Sequence, residues 1–120
     1  MNPLVKTWKI NAKAFVDLKR ENYILSPSNP NEKYQYGNFV SFSKNGSFHG
    51  FYSAPCGNDC FTSINGTYKL IGKNKISIFI KEIERSGFCA EKSMVINKQV
   101  GYFEIDLISI DKIILKRQSV

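Results

Sequence analysis

Cys56, Cys60 and Cys89, with the one histidine, His49, are the residues of this chain best equipped for chemistry. Three thiolates and an imidazole suit tetrahedral zinc, and the Cys-x3-Cys spacing of Cys56 and Cys60 falls within the usual ligand range. The second knuckle of such a site is missing, however. An oxidising compartment would join two of the three cysteines and leave one thiol over; a reducing one leaves small, buried free thiols, the simplest reading. A thiol enzyme also needs a base. His49 lies in a predicted strand rather than beside a cysteine, and a histidine so placed is ordinarily a packed or surface residue.

Other chemistries find less to work with. Glu104 and Asp106 share one strand face opposite Phe103, Ile105 and Leu107, the usual solvent side of a half-buried strand. No phosphate-binding loop, dinucleotide fingerprint or His-Glu-x-x-His motif occurs. Aromatic residues interleaved with lysine between Tyr34 and Phe51 could stack bases, but a β core explains them more simply, so nucleic acid is disfavoured. The expectation is a chain with no catalytic residue, no cofactor and no metal.

The elements that must position these residues are strands. Nine Phe, six Tyr and many Ile in 120 residues favour pleated, half-buried surfaces within one domain, residues 1–120. Prolines and small polar residues between Ser26 and Lys33 mark a loop. Tyr36 to Ser43 and Ser47 to Ser53 read as strands joined by a turn at Lys44-Asn45-Gly46. In the second of them Phe48 and Tyr52 share one face, His49 and Phe51 the other. Gly66 to Ile71 and Ile76 to Ile83 form the clearest hairpin, about Gly72-Lys73-Asn74-Lys75. Tyr102 to Ile108 and Ile113 to Lys116 follow, joined at Asp111-Lys112. Thr7 to Ile10 and Asn22 to Leu25 read as earlier strands, and Ala12 to Leu18 as strand or helical turn. About eight short strands with little helix predict an all-β fold, a small antiparallel sandwich or barrel.

If the hairpin turns between Lys73 and Asn74, Cys89 falls within about two residues of the positions opposite Cys60 and Cys56. Either can then meet it as a disulfide or thiol cluster.

A net charge of +7 points to an acidic partner or to a solvated basic face. The densest basic group, Lys69, Lys73, Lys75, Lys81 and Arg85, straddles the central hairpin. No run approaches a membrane span, and the first residues lack the apolar stretch of a signal peptide. That reads as cytoplasmic if the N-terminus is native, and as cell envelope or periplasm if a signal was trimmed.

Several landmarks resemble the small bacterial lipocalin-like, calycin-type barrels. Leu4-Val5-Lys6-Thr7-Trp8-Lys9-Ile10 looks like their opening, and Phe42-Ser43-Lys44-Asn45-Gly46-Ser47-Phe48 like their second hairpin. Gly66-Thr67-Tyr68-Lys69-Leu70 with Asn74-Lys75-Ile76-Ser77-Ile78 is similar to the third landmark, and Lys112-Ile113-Ile114-Leu115-Lys116 to the closing strand. The order of Cys56 or Cys60, Gly66-Thr67-Tyr68 and Cys89 also resembles the META domain, although that family's Cys-Asn pair is here Cys56-Gly57 and Cys60-Phe61. The resemblance implies a barrel able to enclose one small apolar ligand, and it brings no catalytic residue.

Two functions follow as expectations. The first is a non-enzymatic binding protein for a small apolar ligand or a protein partner. The second is an inhibitor, such as an immunity protein that neutralises a bacterial toxin, for which +7 predicts an acidic partner surface. An accessory domain of the cell envelope is a third option if the gene carries a signal. Expected contact residues are Pro55, Asn58, Asp59 and Phe61 in one loop and Lys73 and Lys75 in the turn.

Overall fold

Alternating side chains give each β segment one buried face, and closing the sheet on itself removes its exposed edges. A computed structural model of the chain describes residues 3–17, 19–28, 36–54, 60–87, 89 and 92–118. The strands are β1 (Thr7–Ile10), β2 (Asn22–Pro27), β3 (Gly37–Phe42), β4 (Ser47–Ser53), β5 (Cys60–Ile71), β6 (Lys75–Gly87), β7 (Met94–Ser109) and β8 (Lys112–Arg117). All pairings are antiparallel, and the eight strands form a closed barrel. No helix occurs among the described residues. The fold class predicted from alternation is therefore the one observed.

The strand order is not a plain meander. From β3 onward each strand pairs with the next, but β1 lies between β2 and β3, and β2 closes the barrel against β8. Strand directions then sort the connections to two ends. The β3–β4, β5–β6 and β7–β8 turns share one end, called here the turn end. The β1–β2 connection, the start of β5 and the end of β8 share the other.

β1 and β4 run as the alternation predicts, whereas β7 begins at Met94, well before Tyr102. Its early part hides from a period-2 reading. Asn97 sits at φ 47°, and the register against β6 shifts between Ile78 and Phe79 and again between Ile80 and Glu82. Of the segment read as strand or helical turn, residues 11–16 are bends and turns, with Phe15 at a positive φ that no right-handed helical turn adopts.

That segment supplies the centre of the core. Phe15 is fully buried and has φ 62°, a left-handed conformation that costs a bulky residue on the order of 1 kcal/mol or more. Four rings surround it: Tyr23 at 5.0 Å, Phe48 at 5.4 Å, Phe103 at 5.5 Å and Phe42 at 6.4 Å between centroids. Burying a phenyl group is worth roughly 1.5–3 kcal/mol, so packing holds the strained backbone in place. At the turn end Leu4 is fully buried, and its carbonyl accepts a 3.0 Å hydrogen bond from Trp8 Nε1.

Candidate functional site

A barrel of this strand number can fill its interior with side chains or hold one small ligand. Here it is filled. Ala14 and Phe15 enter from the β1–β2 connection and join the cluster built by the inward faces of the strands. The fit is close: a Cβ added to Gly50 would lie 2.8 Å from that of Ala14, and one added to Gly66 would collide with the Phe79 carbonyl oxygen and the Phe48 ring. Glycine at 50 and 66 thus admits the plug and its neighbouring ring.

Two grooves among the described residues are open and lie at the rim. One of about 350 Å3 lies where β1 stops short of β2 and β3, between Lys9, Asn11, Ile24 and Asn38. There Asn11 Oδ1 accepts from the Ile24 amide at 2.9 Å, continuing the ladder that β1 leaves unfinished. Another of about 240 Å3 lies between Lys13, Asn38, Tyr52 and Cys60.

Arg117 pins the plug. Its guanidinium lies 4.8 Å over the Phe103 ring and donates to the carbonyls of Arg20 (2.9 Å), Val100 (2.9 Å) and Asp17 (3.3 Å). Beside it, burial raises the Tyr23 phenol above its ordinary pKa of 10.0, while the positive charge of Arg117 opposes the shift.

Cys60 and Cys89 are joined by a disulfide with their Cα atoms 4.7 Å apart. The register sets Cys60 opposite Gly87, two residues before Cys89. The bond takes two ligands from the zinc arrangement considered above, and His49 lies on the outer face of β4, hydrogen-bonded elsewhere. Among the described residues no group of three His, Cys, Asp or Glu side chains is placed to hold a metal. Cys56 lies outside the described residues.

His49 belongs to a polar row that sequence reasoning did not find. Thr7, Ser41, His49, Asn65 and Glu82 occupy successive register positions across β1, β3, β4, β5 and β6. Thr7 donates to Ser41 at 3.1 Å, His49 Nδ1 and Asn65 Oδ1 are 2.7 Å apart, and Asn65 Nδ2 donates to Glu82 Oε1 at 3.3 Å. The His49 ring also stacks on Phe51, and Phe51 on Phe39. The members come from five strands, so only the pairing register reveals the row.

Of the expected contact residues, the structure describes Phe61, Lys73 and Lys75. Pro55, Asn58 and Asp59 lie outside the described residues. Phe61 stands at the start of β5, 6.1 Å from the Tyr52 ring, while Lys73 and Lys75 lie beyond the far end of the same strand. The rest of β5, from Thr62 to Ile71, separates Phe61 from the lysines by roughly 30 Å or more.

The turn end collects a different set. Leu70 and Leu107 continue the inward rows of β5 and β7, opposite Ile76 and Ile113, but lie past the covered core and are exposed. Ile71, Ile108 and Ile110 are exposed beside them, Ile110 at 92%. Lys6, Lys44, Lys69, Lys73, Lys75 and Lys112, all exposed, lie at this same end. Of the acids there, Asp106 is held by Lys116 at 2.9 Å, which raises the lysine's pKa, and Glu104 faces Lys75 across the sheet. No helix among the described residues is long and apolar enough to cross a membrane.

No protein-family model matches this chain, and no curated protein or solved structure matches it either.

Proposed function

We propose that this chain is a non-enzymatic binding protein that engages an anionic partner through its exterior, on a barrel of lipocalin-like kinship. The filled interior carries the reading. Phe15, fully buried within four aromatic rings, occupies the space where a lipocalin-type barrel would hold a small apolar ligand. The enclosed apolar ligand is therefore set aside in favour of a surface partner.

Three further observations support it. The net charge of +7 favours an anionic partner. The Cys60–Cys89 bond removes two would-be nucleophiles and suits an oxidising compartment, hence the cell envelope. The lipocalin-like kinship rests on the landmark segments and the closed eight-stranded barrel; the position of β1 between β2 and β3 departs from the plain meander of that family.

Native mass spectrometry of protein purified from its own organism tests the reading. The expected result is the bare chain mass or a complex with a macromolecule. A stoichiometric small adduct released on denaturation would overturn it.

A further inference from the structure

Five exposed aliphatic residues lie at the turn end of the barrel. Leu70 and Ile71 finish β5, Leu107 and Ile108 lie near the end of β7, and Ile110 is the apex of the β7–β8 turn. These are neighbouring hairpins, because β6 pairs with β7, and the Asn74 carbonyl of the first turn accepts a 2.6 Å bond from the Ile105 amide of the second hairpin. Clustered exposed apolar residues mark an interaction surface more surely than scattered ones.

The chemistry around them narrows the partner. Lysines 6, 44, 69, 73, 75 and 112 all lie at this end, and Asp106 is paired with Lys116, leaving Glu104 and Asp111 as the remaining acids there among the described residues. Protein interfaces draw their binding energy from Trp, Tyr and Arg and are depleted in Lys. An apex of Leu and Ile rimmed by lysines has the opposite composition. It is the pattern of a peripheral membrane contact: aliphatic tips enter the headgroup boundary, and flexible lysine stems keep their ammonium groups among anionic phosphates.

We infer that the turn end docks on an anionic phospholipid bilayer, with Ile110, Ile108 and Leu107 entering the interface and Lys69, Lys73 and Lys75 against the headgroups. The docking rests on the exterior-binding reading above and names its partner. Ile110 is 92% exposed, and β7 runs on past Ile105, the residue bonded to the Asn74 carbonyl of the β5–β6 turn, so its tip reaches the bilayer first. The barrel axis then stands steeply on the membrane and holds the Cys60–Cys89 end away from it.

The test is co-sedimentation of the full chain with phosphatidylcholine vesicles, with and without about one-third phosphatidylglycerol. The chain is expected to pellet with the anionic vesicles only and to be released by high salt. Ile110→Asp, at an exposed turn position that leaves folding intact, should weaken partitioning about tenfold, and Lys73→Glu with Lys75→Glu by about tenfold or more. Val95→Asp alters an exposed apolar residue away from the turn end and should change nothing. Failure to pellet, equal binding to neutral vesicles, or equal loss in all three variants overturns the docking. The exterior reading fails on a separate result, an interior adduct, whatever the vesicles show.

Discussion

Arg117 holds its guanidinium 4.8 Å above the Phe103 ring, on the strand residue directly paired with it, while three of its nitrogens donate to carbonyls of the plug and of β7. One planar cation thus ties the end of β8 to the β1–β2 connection. Lysine keeps the charge but has no fork to reach three acceptors. Arg117→Lys is expected to destabilise the barrel by about 2 kcal/mol, read as a lower urea midpoint at unchanged slope.

Phe15 carries the filled interior, so its removal should open one. Phe15→Ala is expected to cost about 3–5 kcal/mol and to leave an apolar cavity inside a ring of aromatic walls. Such cavities stay dry and take up benzene-sized molecules. Benzene should therefore raise the melting temperature of Phe15→Ala and leave the parent unmoved. An equal rise in both would mean that the parent interior is not filled.

Gly50 and Ala14 are matched in size across the barrel. Gly50→Ala brings two methyl groups to 2.8 Å and is expected to cost about 1–3 kcal/mol. In an Ala14→Gly background the same change should cost markedly less, a coupling of at least about 0.5 kcal/mol in a double-mutant cycle. Additive losses would place the strain elsewhere.

The Cys60–Cys89 bond leaves a countable signature, since the chain has three cysteines. Denatured, unreduced protein should show a single reactive thiol, that of Cys56, and three after reduction. Reduction should lower stability by about 2–4 kcal/mol, because the bridge closes a loop across a sequence separation of 29 residues. Cys56→Ser should leave both the bond and the stability in place.

What could be read from the sequence was whatever period 2 and turn chemistry control. β4 has the limits that its alternation gives, whereas the turn expected between Lys73 and Asn74 centres on Lys73 and sets Ile71 opposite Lys75; the register shift between Asn65 and Gly66 then restores the expected pairing and sets Cys60 opposite Gly87. Carried along the hairpin, that register brings Cys60 and Cys89 within bonding reach, although it could not choose between Cys60 and Cys56. The plug escaped because residues 11–17 have no period and turn on a positive φ at Phe15, a conformation disfavoured for phenylalanine and stabilised only by long-range packing. The Thr7–Ser41–His49–Asn65–Glu82 row escaped for a related reason, since its members are neighbours only through four separate registers.

Tyr23 links the core to alkaline stability. Burial raises its pKa above 10.0 in the folded state, with Asp17 adding to the shift and Arg117 and Arg20 opposing it. Because the folded pKa is the higher one, the stabilising contribution is complete below about pH 10, the unfolded value. Above it the unfolded chain loses the proton first, so stability falls as pH rises through the window between the unfolded and folded values. Tyr23→Phe removes this titration along with one long 3.4 Å hydrogen bond to the Asp17 carbonyl. At pH 7 the variant should lie within about 1 kcal/mol of the parent. As pH rises above about 10, the ordinary phenol value, the difference should shift in favour of the variant. Urea unfolding of both chains across that range measures it, and parallel stability curves would show that Tyr23 titrates alike in the folded and unfolded states.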